Sequence, residues 1–287
     1  MNAFLAIDWG TTNRRIYRIE DGLVALTARD DRGVRMMGRS DYESAIGALR
    51  AKYGDLPMLL AGMVGSSIGW YEAPYVKTPA GLPALAANLL AVDSRTSIVP
   101  GLSHSDGSRA DIMRGEEVQL LGAGAARIVP QTALLCQPGT HCKWARLEHG
   151  QIVDFQTTMT GELFALLRTH SILAPQLTAP VGDGSAFHQG VVRGARGDLL
   201  AALFEIRAAG LQGSRPDDAN SSYASGLLIG ADIAMRMLDD PDVYILAEPP
   251  LGGLYETAIR TLGGRAFLVD SQAAFVAGIV GIWEQHQ

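Results

Sequence analysis

One pattern occurs twice in this 287-residue sequence and limits what the chain can fold into. AFLAIDWGTTNRRIYRIEDGLVALTAR, starting at Ala3, reads as an apolar strand, a Gly/Thr loop, an alternating strand, a turn at Asp21-Gly22 and a third strand. From Ala133 the same order returns as ALLCQPGTHCKWARLEHGQIVDFQTT, with its turn at His149-Gly150. Each meander leads into amphipathic helical material, YESAIGALRAKYG after the first and TGELFALLRTHSIL after the second, where Thr160 is the expected N-cap. Two similar α/β halves, with a duplicated mixed sheet flanked by helices, account for this better than one continuous sheet. The expected division is residues 1–126 and 127–287.

Between the meanders, MLLAGMVG reads as a strand, Leu82 to Val92 as a helix, TSIVPG as a strand and RGEEVQLLGAGAA as a helix crossing between the halves. Near the C-terminus, DVYILAEPPLGGLYETAIRTLGGRAFLVDSQAAFVAGIVGIW alternates strand, helix, strand and helix. That order implies parallel strands joined by crossover helices.

Composition narrows the partners. Hydrophobic residues make up 47% and charged residues 19%, which predicts a compact body. The net charge of -6 is spread along the chain with no basic run, so nucleic acid is not an expected partner. No apolar stretch is long enough for a bilayer and no leader precedes the first strand, so the expectation is a cytoplasmic protein without a membrane partner. Self-association is left open. Cys136 and Cys142, the two cysteines, are expected as reduced thiols.

The loops carry the chemistry. In DWGTTN, Gly10 lets the backbone turn, while Thr11, Thr12 and the loop amides can converge on phosphate oxygens. Asp8, at the end of the preceding strand, is placed to hold Mg²⁺ through water. The second loop, PGTHCKW, repeats the device with Gly139 and Thr140. Phosphoryl transfer needs positioning, charge neutralisation and a carboxylate that orients the acceptor. ADIMRGEEVQLLGA offers Asp111, Glu116 and Glu117, and either Asp111 or Glu116 could accept the hydroxyl proton. The plainer reading of the GEE sequence is an acidic first helical turn favoured by the dipole. Gly252 and Gly253 in LGGLYETAI could lie against a flat base, or simply form a turn before a helix.

Two other classes compete. GSSIG, with Ser67, matches the nucleophile elbow of serine hydrolases, but Pro74 and Pro79 interrupt the helix that should follow. A nucleotide-gated regulator would keep the phosphate loops without a sugar pocket.

The stretches AIDWGTTNRRIY, LLAGMVGSSIGWYEAPYVKTPA, DIMRGEEVQLLGA, PGTHCKWARLEHGQI, TMTGELFALLRTHSIL and SYASGLLIGADI together resemble the 2-dehydro-3-deoxygalactonokinase family, within the actin-like ATPase superfamily. The resemblance implies a two-lobed actin-like ATPase (ribonuclease H-like) fold. It also implies ATP-dependent, Mg²⁺-dependent phosphorylation of a small-molecule sugar acid, 2-dehydro-3-deoxy-D-galactonate, at its 6-hydroxyl. Another sugar or sugar acid remains the alternative acceptor. By the same resemblance Asp8, Gly10, Thr11 and Thr12 form the first phosphate loop, Gly139 and Thr140 the second, and Gly252 with Gly253 the adenosine motif. GEE stands where related kinases have a GDQ helix start, which leaves the base between Asp111 and Glu116. Cys142 stands where the family often has serine. The substrate carboxylate needs a cationic partner, for which Arg14 and Arg114 are the candidates, and Gly65, Ser66, Trp70 and Tyr75 supply the remaining wall.

Overall fold

The computed structural model describes residues 3–236 and 242–286. In chain order the first elements are β1 (Ala3–Trp9), β2 (Arg14–Glu20), β3 (Leu23–Asp30), α1 (Asp41–Tyr53), β4 (Met58–Gly62), β5 (Tyr75–Lys77) and β6 (Ala80–Gly81). Next come α2 (Leu82–Ala87), β7 (Leu90–Asp93), β8 (Thr96–Ile98), β9 (Gly101–Ser105), β10 (Ala110–Met113) and α3 (Glu116–Ala125). The second meander is β11 (Thr132–Gln137), β12 (Cys142–Glu148) and β13 (Gln151–Thr158). It is followed by α4 (Thr160–His170), α5 (Ser185–Gly194), α6 (Leu199–Gln212), α7 (Asn220–Ala234), β14 (Asp242–Leu246), α8 (Leu251–Thr261), β15 (Arg265–Val269) and α9 (Ser271–His286).

The chain divides into two compact units. One holds Met1–Thr132, Arg146–Phe155 and Ser271–Gln287, and the other holds Ala133–Ala145 and Gln156–Asp270. The expected cut near residue 126 therefore falls inside the first unit, which also takes back the last helix.

The duplication read from sequence reappears as topology. One six-stranded sheet, in the first unit, runs β3-β2-β1-β4-β8-β7; a second runs β15-β14-β11-β12-β13-β6, and a three-stranded sheet runs β10-β9-β5. In the first, β1 pairs antiparallel with β2 and parallel with β4, and β4 pairs parallel with β8. In the second, β11 pairs parallel with β14, and β14 with β15. Each meander turns through a left-handed pair, Asp21 (φ 50) with Gly22 (φ 79) and His149 (φ 48) with Gly150 (φ 78). This is the turn geometry whose twist matches paired antiparallel strands.

Two local expectations are corrected. Helix α2 stops at Ala87, and Leu90–Asp93 is a strand on the sheet edge, paired antiparallel with β8. Burial alternates along that strand, which a helix could not satisfy. Thr160 is the first residue of α4 and makes no cap; its Oγ1 donates instead to the carboxylate of Asp232, 3.0 Å away.

The first unit's core packs Leu5, Ile7 and Trp9 of β1 with Ile16, Tyr42, Ile46, Leu60 and Trp70. Helix α9 packs on the other face of β1 and β2, with Trp283 stacked on Phe4 at 4.4 Å and Phe275 tilted against Tyr17 at 5.3 Å. Against α3 it comes close enough that a Cβ on Gly122 would meet Ala274 O and lie 2.6 Å from the Gly278 amide nitrogen. Gly278 in turn faces Val118 O. The second unit's cores gather Phe187, Val191, Ile245 and Tyr255, and separately Leu173, Ile206 and Leu227.

This packing makes two glycines respond in opposite directions. Gly278→Ala should destabilise by about 1–3 kcal/mol through overpacking. Gly47→Ala, on α1 with nothing within 4 Å of the added methyl, should stabilise by about 0.5–1 kcal/mol. Thermal and denaturant melts of the two variants check the contrast.

Candidate active site

The first unit builds its half of the site where β1, β4 and α3 end or begin. Gly62 closes β4 with φ 93, and a Cβ there would lie 2.8 Å from Trp9 O and 3.5 Å from Asp8 Oδ1. Gly115 (φ 102) precedes α3, and its Cβ would lie 3.0 Å from the Gly62 Cα. Only a residue without a side chain permits either approach. Together they hold the α3 start against the end of β1.

Three carboxylates meet there. Burial pushes Asp8 up to about 6, with Arg15 pulling against the shift and Glu116 adding to it. Burial also pushes Glu117 up to about 8, with Glu116 adding again while the Gly115 amide and Arg114 oppose. The Gly115 amide donates to both Glu117 oxygens, at 2.8 and 2.6 Å, and the Arg114 amide donates to Glu116 Oε2 at 3.1 Å. The GEE segment is thus an acidic helix start, as the plainer reading had it, and also the electrostatic neighbour of Asp8. Asp111 lies on β10 opposite His104, with its Oδ1 accepting from the Ile112 amide at 2.8 Å.

The first phosphate loop is held from behind. The Gly10 amide donates to Asn13 O at 2.9 Å, and the amides of Val34 and Arg35 donate to Gly10 O and Thr11 O at 3.0 and 3.2 Å. A side chain on Gly33 would run into the backbone of Thr11 and Thr12. Thr12 Oγ1 accepts from Asn13 Nδ2 at 3.0 Å and is exposed, while Thr11 is half-buried.

The expected wall forms a coil after β4. The chain turns back as the amides of Trp70 and Ala73 donate to Val64 O (2.8 Å) and Gly65 O (2.9 Å), and Ser66 Oγ donates to Met63 O at 2.7 Å. Trp70 is buried, stacked on Tyr42 at 5.6 Å. No helix follows Ser67, which removes the context a nucleophile elbow requires. The two candidate arginines differ. Arg14 forms a two-point pair with Asp30, 3.1 Å from Nε and 2.6 Å from Nη2, and lies over the Trp9 ring. Arg114 donates from Nη2 to Ala73 O at 2.7 Å and lies under the Tyr75 ring.

In the second unit, the Glu162 amide donates to Thr140 O at 2.9 Å, and Gly161 leaves no room for a side chain against Gly139 O. Glu162 also reaches His141 Nε2 at 2.5 Å. Cys142 points into the core, its Sγ 3.7 Å from Cys136 Sγ, so it supplies no phosphate donor. Burial pushes the Cys136 thiol well above its usual range, which keeps it protonated.

A hydrogen-bond network without a sequence signature stands behind this loop. Asp232 of α7 accepts from Trp144 Nε1 (3.1 Å), Thr158 Oγ1 (3.0 Å), Thr160 Oγ1 (3.0 Å) and Tyr255 (3.2 Å). It ties β12, β13, α4 and α8 together. Helices α4, α7 and α8 also contribute to a pocket of about 520 Å3, lined by Phe164, Arg168, Asp183, Ser225, Gly253 and Leu254, among others. That volume is in the range of small-molecule sites, roughly 300–1,000 Å3. A smaller hollow sharing Phe164, Ser225 and Leu251 reaches Gly139 and Gly161. Gly253 opens onto the large pocket with nothing within 4 Å of a would-be Cβ, whereas Gly252 packs 3.0 Å from Ala247 O.

Comparisons with known proteins identify the family. A family profile described as 2-keto-3-deoxy-galactonokinase matches residues 8–282. The chain is 35% identical over 285 residues to the 2-dehydro-3-deoxygalactonokinase of Escherichia coli (strain K12), covering 97% of each protein. It is 34% identical to the crystal structure of a candidate 2-dehydro-3-deoxygalactonokinase from Sinorhizobium meliloti, with a TM-score of 0.89 over 97% of this chain and 95% of that one. Component A of the Acidaminococcus fermentans (R)-2-hydroxyglutaryl-CoA dehydratase shares the fold alone, at 15% identity and a TM-score of 0.54 over 99% and 98% of the two chains. The chain therefore belongs to the 2-keto-3-deoxy-galactonokinase family of carbohydrate kinases, on the actin-like ATPase fold.

Proposed function

We propose that the protein transfers the γ-phosphoryl group of ATP to the 6-hydroxyl of 2-dehydro-3-deoxy-D-galactonate, with Mg²⁺ and in the cytoplasm. The observation that carries the reading is the glycine-built junction that holds the start of α3 against the Asp8 end of β1, in a chain of this family. That no described helix is long and apolar enough to cross a membrane fits the location.

A divalent cation fits the first unit. Among the described residues no group of three or more His, Cys, Asp or Glu forms a metal cage. Mg²⁺ usually keeps several waters and needs only one or two carboxylates besides phosphate oxygens. Asp8 is such a donor, and its raised proton affinity reflects burial that Arg15 only partly offsets. When bound, the cation would neutralise charge on the transferring phosphate.

The protein's own groups take the remaining roles. Gly10, Thr11 and Thr12 offer backbone and hydroxyl donors to phosphate oxygens, as do Gly139 and Thr140. Glu116 orients the acceptor hydroxyl and accepts its proton; it opens α3 at the junction with β1 and β4, whereas Asp111 lies on β10 opposite His104. The 520 Å3 pocket takes adenosine, with Gly253 beneath the base and the smaller hollow leading toward Gly139. Gly252 keeps α8 against the sheet.

ADP release with the sugar acid as acceptor tests the whole reading. Asp8→Asn should lower turnover by on the order of 10²–10³-fold while the fold survives; unchanged turnover would remove Asp8 from the chemistry. Gly253→Val should raise the KM for ATP about tenfold or more with little change in Tm, because the added bulk enters open space in the pocket.

The two raised carboxylates also set a pH dependence of stability. Each binds a proton in the fold at pH values where the unfolded chain has released it, so stability falls as pH rises through that window. For Asp8 the window is from 3.8 to about 6, and for Glu117 from 4.5 to about 8. Glu117→Gln should therefore match wild type near pH 4 and exceed its stability increasingly up to pH 8. Denaturant melts across that range check it; parallel curves would contradict the buried, protonated Glu117.

A further inference from the structure

Arg114 is a buried cation whose surroundings are incomplete. It is 8% exposed, and Nη2 donates to Ala73 O at 2.7 Å. Among the described residues its Nε and Nη1 have no hydrogen-bond partner, so the three N–H groups on these two nitrogens are unpaired there. The Tyr75 ring, 4.3 Å from Cζ, offsets part of this through its negative face. A ring face is no substitute for an acceptor, and a buried charge without its full hydrogen bonding is strongly destabilising.

The surroundings suit a ligand more than they suit a structural role. A Cβ on Gly65 would lie 3.0 Å from Nη1 and 2.9 Å from Ile98 Cγ2, so the glycine gives the guanidinium its space. Tyr75 itself is 37% exposed and sits on a three-residue strand at the edge of the β10-β9-β5 sheet. The ring lies against the guanidinium at that sheet edge. A planar anion that accepts from more than one N–H is a carboxylate. The rival arginine, Arg14, already spends its Nε and Nη2 on Asp30.

We infer that Arg114 anchors the acceptor's carboxylate and selects sugar acids over neutral sugars, with Tyr75 as the ring that holds the guanidinium in place. The inference rests on the kinase reading above. Because Arg114 lies next to the Gly115-Glu116 pair, one short stretch fixes both the carboxylate anchor and the group that receives the hydroxyl proton.

Calorimetry separates the anchor from the chemistry. The probes are 2-dehydro-3-deoxy-D-galactonate and its uncharged C1 primary amide, titrated into the full-length wild type, Arg114→Met, Arg114→Lys and Tyr75→Leu. The wild type should bind the acid about 10- to 100-fold more tightly than the amide, the range expected for hydrogen bonds to a charged group. Arg114→Met should bring that ratio close to one, Arg114→Lys should restore part of it, and Tyr75→Leu should lower it. Thermal melts identify the folded variants, and the wild-type ratio decides even if Arg114→Met fails to fold. Equal binding of acid and amide by the wild type, or a full acid preference in folded Arg114→Met, overturns the anchor. ADP release measured alongside distinguishes the two readings. An acid that binds through Arg114 without being phosphorylated overturns the kinase reading, and one phosphorylated without preference over its amide overturns the anchor.

Discussion

The close approach of backbone to backbone at Gly62 and Gly115 is the constraint on which the first unit's chemistry depends. A methyl group at either position would collide with Trp9 O or with the Gly62 Cα. Without side chains there, the end of β1, the end of β4 and the first turn of α3 share one small volume, and Asp8, Glu116 and Glu117 are brought together. The low dielectric that results makes every charge costly. Burial drives Asp8 to about 6 and Glu117 to about 8, and Arg114 has no partner for its Nε and Nη1 among the described residues. A fold under selection for stability alone would have no use for this concentration of poorly compensated groups. Their cost is understandable where ligands of opposite charge complete them.

The second unit uses the same supersecondary device with different backing. Its hairpin loop is pinned by α4, because Gly161 admits the Gly139 carbonyl and the Glu162 amide reaches Thr140 O. Behind it, Asp232 draws four donors from four elements, so the loop stands on a rigid support. The hydroxyl of Thr160, which could have capped α4, is used in that network instead. The duplicated meanders thus give each unit a donor-rich turn, while the divergence behind the turns suits one unit to carboxylates and a guanidinium and the other to a largely apolar pocket.

What was legible in the sequence was local. The Asp21-Gly22 and His149-Gly150 turns, the alternation of their flanking strands and the Gly/Thr loops all depend on neighbours a few residues apart. What was not legible depends on distant partners. Leu90–Asp93 carries residues acceptable to a helix and becomes a strand because β8 offers an edge. Helix α9 belongs to the first unit through contacts of Gly278 with Val118 and of Trp283 with Phe4, separated by most of the chain. Asp232 lies in a stretch that reads as ordinary helix, and only its fold neighbours give it four donors. Arg14 and Arg114 look equivalent as residues near loops. Asp30 and Tyr75 distinguish them, and neither pairing has a sequence signature.

The identity of the phosphorylated product tests the account most directly. Wild-type protein would be incubated with ATP, Mg²⁺ and 2-dehydro-3-deoxy-D-galactonate, and the product's phosphorus would be located by its NMR coupling to carbon-bound protons. The gluconate epimer and an acceptor-free sample would be run in parallel. The account predicts a single monophosphate at carbon 6, formed faster from the galactonate than from its epimer, with little ADP in the absence of acceptor. ADP release that ignores the acceptor, or a phosphate at another carbon, would contradict it.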